Sequence, residues 1–181
     1  HGADSPKLLP VMDKLLTAYA GLQDANAGVP VLEQKLALVT KLKGEKRKEV
    51  TVVMRDTAVA ETVRGKHEKA RRMQRKALSI YEDTVGEKSE EVGLLYLGMS
   101  FTEFTDPETG ASKLDTAPKY RNKGIEILES VYPEGSAKRI ALYSDQLERI
   151  RPFAQGGGGS GQLARYAKEL EDKLEANKGG P

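Results

Sequence analysis

The chain has 181 residues, of which 38% are apolar and 31% charged, a balance that fits one soluble, well-solvated domain or a short repeat array. It contains no cysteine, which excludes disulfide frameworks, cysteine zinc sites, iron–sulfur clusters and a thiol nucleophile. Its 29 basic and 27 acidic residues leave a net charge of +2, so no global positive excess calls for nucleic acid or an anionic membrane.

His1 and Gly2 read as a cloning remnant, and residues 3–155 as the domain. No basic-then-apolar secretory pattern opens the chain, and no run approaches the roughly 18 apolar residues that span a bilayer, so a cytoplasmic protein is expected. Further along, Gly44-Glu45-Lys46-Arg47-Lys48-Glu49-Val50 and Gly86-Glu87-Lys88-Ser89-Glu90-Glu91-Val92 form a pair of matching motifs 42 positions apart. Leu36 falls on Leu78 and Leu38 on Ile80 at the same offset. Gly124, Ile125 and Ile127 continue the series with five extra positions, which the turn-rich stretch from Thr105 to Ser112 absorbs as an inserted loop.

Within a period the pattern is helical. Val50, Val53, Met54, Thr57, Ala58 and Glu61 recur every three to four residues, Arg64-Gly65 breaks the run, and Ala70, Met73, Ala77, Leu78 and Ile80 resume it. Each period is therefore a predicted helical hairpin. A lone hairpin cannot bury its own face, so about three must stack and a polar cap must close them, here Ser136 to Ile150. The predicted fold is an all-α solenoid of helical hairpins.

The spacing Ala70-x6-Ala77-Leu78-x-Ile80-Tyr81-x4-Gly86-x5-Val92 resembles the second helix and linker of tetratricopeptide repeats. The 42-residue period and the A-L-x-I-Y-x4-G core are similar to those of kinesin light chains, across roughly residues 30–135, although Arg55-Asp56 stands where light chains carry paired asparagines. The resemblance implies a protein-binding adaptor, cytoplasmic and associated with the cytoskeleton. It also implies that first helices line a concave groove. The repeat offset then makes Asp13, Arg55 and Leu97 one equivalent set and Thr17, Val59 and Phe101 another, and these six residues are the groove candidates.

No catalytic set can be assembled. His67 has no histidine partner except His1, so packing is the expected role, and neither a metal nor a cofactor is implied. Lys46 to Lys76 is strongly basic, which suits a solvated face or an acidic ligand. It lacks the aromatic interleaving that single-stranded nucleic acid would use.

Gly156 to Gly161, with Ser160 among the glycines, has the composition of a designed flexible linker, so the chain reads as a fusion. Beyond it, residues 162–181 open with a segment ending at Lys178 that is rich in helix formers. Leu163, Tyr166, Leu170 and Leu174 line one stripe of that segment and are its predicted anchors. Glu169 with Lys173, and Arg165 with Glu169, are spaced to pair. A narrow stripe suits helix-in-groove recognition, so the segment reads as a partner's helix docked on the repeat domain. It also fits a native capping helix whose loop was replaced, a solubility tail, or a coiled-coil strand through which the chain self-associates.

Overall fold

A computed structural model of the chain describes residues 4–108, 112–155 and 161–178, leaving out the side chains of residues 112–114, 152–155 and 162–163. Among the described residues there are eight α-helices and no strand. They are α1 (Leu9–Gly21), α2 (Ala25–Lys43), α3 (Lys48–Val63), α4 (His67–Thr84), α5 (Glu90–Thr105), α6 (Ser112–Val131), α7 (Ala137–Gln155) and α8 (Gly161–Lys178), preceded by a 3₁₀ turn at Pro6–Leu8. The fold is all-α, and α1 with α2, α3 with α4, and α7 with α8 pack as hairpins. None of these helices is long and apolar enough to cross a membrane.

The helix boundaries carry the repeat more clearly than the residues do. α3 and α5 begin and end 42 residues apart, and so do the first residues of α2 and α4. After the insertion the interval becomes 47: Thr84 to Val131 for the ends of α4 and α6, Glu90 to Ala137 for the starts of α5 and α7. Three of the five extra positions fall between α5 and α6, inside the predicted turn-rich stretch, and the other two make α6 longer than α4.

Local chemistry explains the boundaries. Asp24 caps α2 by accepting from the Ala27 N–H at 2.9 Å, and Ser89 caps α5 by accepting from the Val92 N–H at 3.3 Å, each satisfying one of the orphan donors of a first turn. Gly65 and Gly86 have φ of 73° and 87°, a left-handed backbone that side chains with a Cβ disfavour. At that conformation the chain reverses while Lys66 and Gly86 still donate to the carbonyls of Glu61 and Tyr81.

The chain forms two compact units whose boundary follows Ile127, inside α6. In the first unit α2 packs on α3, α4 on α5, and α3 beside α5, the stacking expected of a solenoid. Leu32, Val39, Val50, Val53, Met54, Ala77, Ile80, Tyr81, Leu95 and Met99 share its core. Small residues set the closest approach. A Cβ on Gly124 would lie 2.9 Å from the Gly93 carbonyl oxygen and 3.0 Å from Leu97 Cδ2, so α5 and α6 touch there at backbone distance. A buried polar seam crosses the same core: Gln74 Nε2 donates to Thr102 Oγ1 at 2.8 Å, and the Thr62 and Thr102 hydroxyls meet at 2.8 Å. Each buried polar atom named here thus has a partner.

The start of the insertion is fixed by charge. The Glu108 N–H donates to Asp106 Oδ1 at 2.8 Å, while Arg71 donates to Asp106 Oδ2 at 2.5 Å and to Glu103 Oε1 at 2.8 Å. Burial acts to raise the Asp106 pKa, but the amide and the guanidinium outweigh it and hold the carboxyl below its usual range. Residues 109–111 of the predicted loop lie outside the described residues.

Residues 136–150 are expected to form a capping helix and residues 162–178 an appended amphipathic helix, and the second unit contains both. The structure extends the cap to Gln155 and pairs it with α8 as a further hairpin. The reason is the apolar face of α7, where Leu142, Tyr143 and Leu147 are buried and must be covered.

Candidate helix-docking site

Residues 128–178 build a small site around α8. The end of α6 contributes Leu128 and, just beyond it, Tyr132; α7 contributes Leu142, Tyr143, Gln146 and Leu147, one face at helical spacing; all six are buried. From α8, Tyr166 is 6% exposed and Leu170 only 1%. Leu174 and Ala167 are half-buried on the same stripe. The Leu163 side chain lies outside the described residues.

Polar contacts fix the register of α8 along this face. Asn177 is buried, and its Oδ1 accepts from the Gly135 N–H at 2.9 Å while its Nδ2 donates to the Lys173 carbonyl at 2.8 Å. Gly135 has φ of 71°, so its left-handed turn presents that N–H to the last turn of α8. Lys173 Nζ donates to Glu129 Oε1 at 2.7 Å, and the Tyr143 hydroxyl donates to the same oxygen at 2.7 Å. Lys173 also stands 5.7 Å from the centre of the Tyr143 ring, within cation–π range.

These contacts set the protonation states. Burial would raise the Glu129 pKa, but the Lys173 ammonium and the Tyr143 hydroxyl hold its carboxyl below the usual range. Burial would lower Lys173, yet Glu129 keeps it above the usual lysine value. Burial and the Glu129 carboxylate together push the Tyr143 phenol up. At neutral pH the site therefore holds one matched ion pair with a neutral phenol donating into it.

The sequence-predicted residues are distributed as follows. Tyr166 and Leu170 meet at the buried face, with Leu174 at its edge. The predicted pair of Glu169 with Lys173 forms at 3.4 Å, whereas Arg165 instead donates to the Gly161 carbonyl at 3.1 Å. Gly161, read as the last linker residue, is the first residue of α8, and residues 156–160 lie outside the described residues. Glu129, Tyr143, Gly135 and Asn177 were not foreseen. Asn177 was the most legible of them, because it continues the three-to-four spacing of the anchors.

The six groove candidates all belong to the first unit, on α1, α3 and α5. Asp13 and Thr17 are exposed; Asp13 accepts from Lys35 at 2.5 Å and the Thr17 hydroxyl donates to the Asp13 carbonyl at 2.9 Å. Arg55 is half-buried and pairs with Asp56 at 2.8 Å. Val59, Leu97 and Phe101 are half-buried too. Val59 Cγ2 would lie 3.9 Å from a Cβ on Gly98, and Leu97 lies against Gly124, so these two spend part of their surface on helix packing.

Part of the basic stretch is paired with acids. Lys48 pairs with Glu91, Lys69 with Glu33 and Glu61, each at 2.6 Å, and Arg71 with Glu68, Glu103 and Asp106. Lys46, Arg47, Lys66, Arg72 and Arg75 are exposed. His67 is a half-buried packing residue, its Nδ1 3.8 Å from Asp106 and its Nε2 3.4 Å from the Thr105 hydroxyl. Among the described residues no group of three or more His, Asp or Glu side chains is placed to hold a metal ion. No family model matches the chain, and no curated protein does.

Proposed function

We propose that the chain is a protein–protein interaction module that binds an amphipathic helix of a partner, with residues 162–178 standing for that helix. The observation that carries this reading is Leu170. It is 1% exposed, on a helix whose preceding run of glycines has no packing value of its own. A tether of that length raises the local concentration of a weak ligand toward about the millimolar range without adding a contact. The resemblance to light-chain repeats extends the proposal to adaptor work in the cytoplasm, associated with the cytoskeleton. No enzymatic role, cofactor or metal is part of it.

One observation favours a second reading. α8 pairs with α7 as α4 pairs with α3, which suits the native second helix of the hairpin, reconnected by a replaced loop. Introducing a protease site within residues 156–160 separates the two. Under the ligand reading the cleaved chain keeps residues 1–155 folded and rebinds a synthetic peptide of residues 162–178 saturably. Leu170→Asp in that peptide should cost at least about 1.5–3 kcal/mol, roughly 10- to 150-fold in affinity. If release of the peptide unfolds residues 128–155, or if the Asp peptide binds equally well, the ligand reading fails.

A further inference from the structure

α1 is amphipathic in two directions. Met12, Leu16 and Tyr19 are half-buried on one side of the helix that packs on α2. On the adjoining side Val11 and Leu15 are 54% and 42% exposed and, with exposed Ala18 and, just past the helix end, Leu22 at 74%, form a stripe at i, i+4, i+7 and i+11. Scattered exposed aliphatics need no explanation; four in one helical row do.

The repeat identifies what such a row is for. At the 42-residue offset Val11 corresponds to Val53 and Leu95, and Leu15 to Thr57 and Met99. All four counterparts are buried, with α2 packed on α3 and α4 packed on α5. Two positions of the row exposed on α1 are thus core positions in both later repeats, while Ala18 corresponds to half-buried Ala60 and buried Thr102, and Leu22 to exposed Arg64 and buried Asp106. At those two positions the geometry of the row is already suited to a helix lying along it.

Charge distinguishes the occupant from α2 and α4. Lys7 and Lys14 are exposed along one flank of the α1 stripe. At the same offset Lys7 corresponds to Glu49 and Glu91, and Lys14 to Asp56 and Gly98, so the charge is inverted in both later repeats at the first position and in one at the second. On α3 the carboxylate of Glu49 faces Lys43 of α2 at 3.9 Å. A helix seated on α1 with carboxylates where α2 carries that lysine would complement Lys7 and Lys14. The exposed side of α8 is built from Lys168, Glu169, Glu171, Asp172 and Glu175 and has no apolar row to offer. A second copy of α1 offers no free carboxylate, since Asp13, the one acid of this helix, is bonded to Lys35.

We propose that the Val11–Leu15–Ala18–Leu22 face of α1 is a second docking surface, for a partner's amphipathic helix with an aliphatic stripe flanked by carboxylates. The surface is independent of the α8 site. The probe is a fluorescein-labelled peptide of residues 25–43 carrying K35E, K41E and K43E, titrated into the full chain by anisotropy beside the unmodified peptide. The acidic peptide binds at least tenfold more tightly than the unmodified one. Leu15→Asp weakens it at least tenfold, Leu170→Asp leaves it unchanged, and Lys7→Glu combined with Lys14→Glu reverses the preference between the two peptides. Val11→Ser, at the more exposed position, replaces Leu15→Asp if circular dichroism shows that variant unfolded. Absence of saturable binding, or binding indifferent to these α1 substitutions, overturns the proposal. So does a concentration-dependent dimer that Leu15→Asp dissolves, which would make the occupant a second copy.

Discussion

Among the described residues, the first and last α-helices, α1 and α8, have similar composition at their apolar positions and opposite fates. α8 buries Tyr166 and Leu170 and fixes its register with Asn177 and Lys173, whereas α1 leaves Val11, Leu15 and Leu22 open and buries no residue fully. The contrast shows that an apolar stripe specifies a docking face but not its occupancy. What decides occupancy is whether another helix is placed to cover the stripe and whether its flanking polar groups match. α8 finds both in α7 and the Glu129–Gly135 turn region.

The contrast predicts unequal responses to the same substitution. Leu170→Ala removes a leucine that is 1% exposed and should cost about 2–5 kcal/mol. Leu15→Ala, at a position 42% exposed, should stay within about 0.5 kcal/mol. Urea denaturation of the two variants measures the difference, and equal losses would show that the α1 stripe is covered in solution.

Next in size is Gly124→Ala. Its Cβ would sit 2.9 Å from a backbone oxygen that cannot swing away, so a loss of about 1–3 kcal/mol is expected. Gly161→Ala, where nothing lies within 4 Å, is the control, and it should be neutral or slightly stabilising through helix propensity. A thermal melt showing similar midpoints for both would contradict the close approach of α5 to α6.

Asn177→Ala strips the Gly135 N–H of its acceptor and should cost about 1–2 kcal/mol, with faster amide exchange at Gly135. The smallest effect is that of pH. The folded-state pKa of Glu129 is depressed, so its contribution is present above the unfolded glutamate value of about 4.3 and fades as pH falls through the lower folded value. Acidification below about pH 4 should therefore loosen α8 before heating does, an effect that Glu129→Gln removes. Because the Lys173 partner is partly solvated, the stability involved is about 1 kcal/mol or less.

Much of this was legible in the chain itself. The 42-residue offset, the glycine breaks at Gly65 and Gly86 and the five-residue insertion all follow from local chemistry, since periodicity and turn residues act over a few positions. The boundaries of α3 and α5 repeat that offset at both ends. The anchors Tyr166 and Leu170 were equally visible, because an amphipathic stripe is written in helical spacing.

Partnership was not. That α8 completes a hairpin with α7, that Glu129 bridges Lys173 and Tyr143, and that Gly135 donates to Asn177 depend on residues 14 to 44 positions apart. Val11 and Val53 share a repeat position and an identical side chain, yet only Val53 is buried. The sequence by itself determined which faces were apolar and where helices began and ended, because those properties are set by neighbours along the chain. Only the tertiary structure decided which faces were covered, because burial depends on which other helix the packed chain lays against each one.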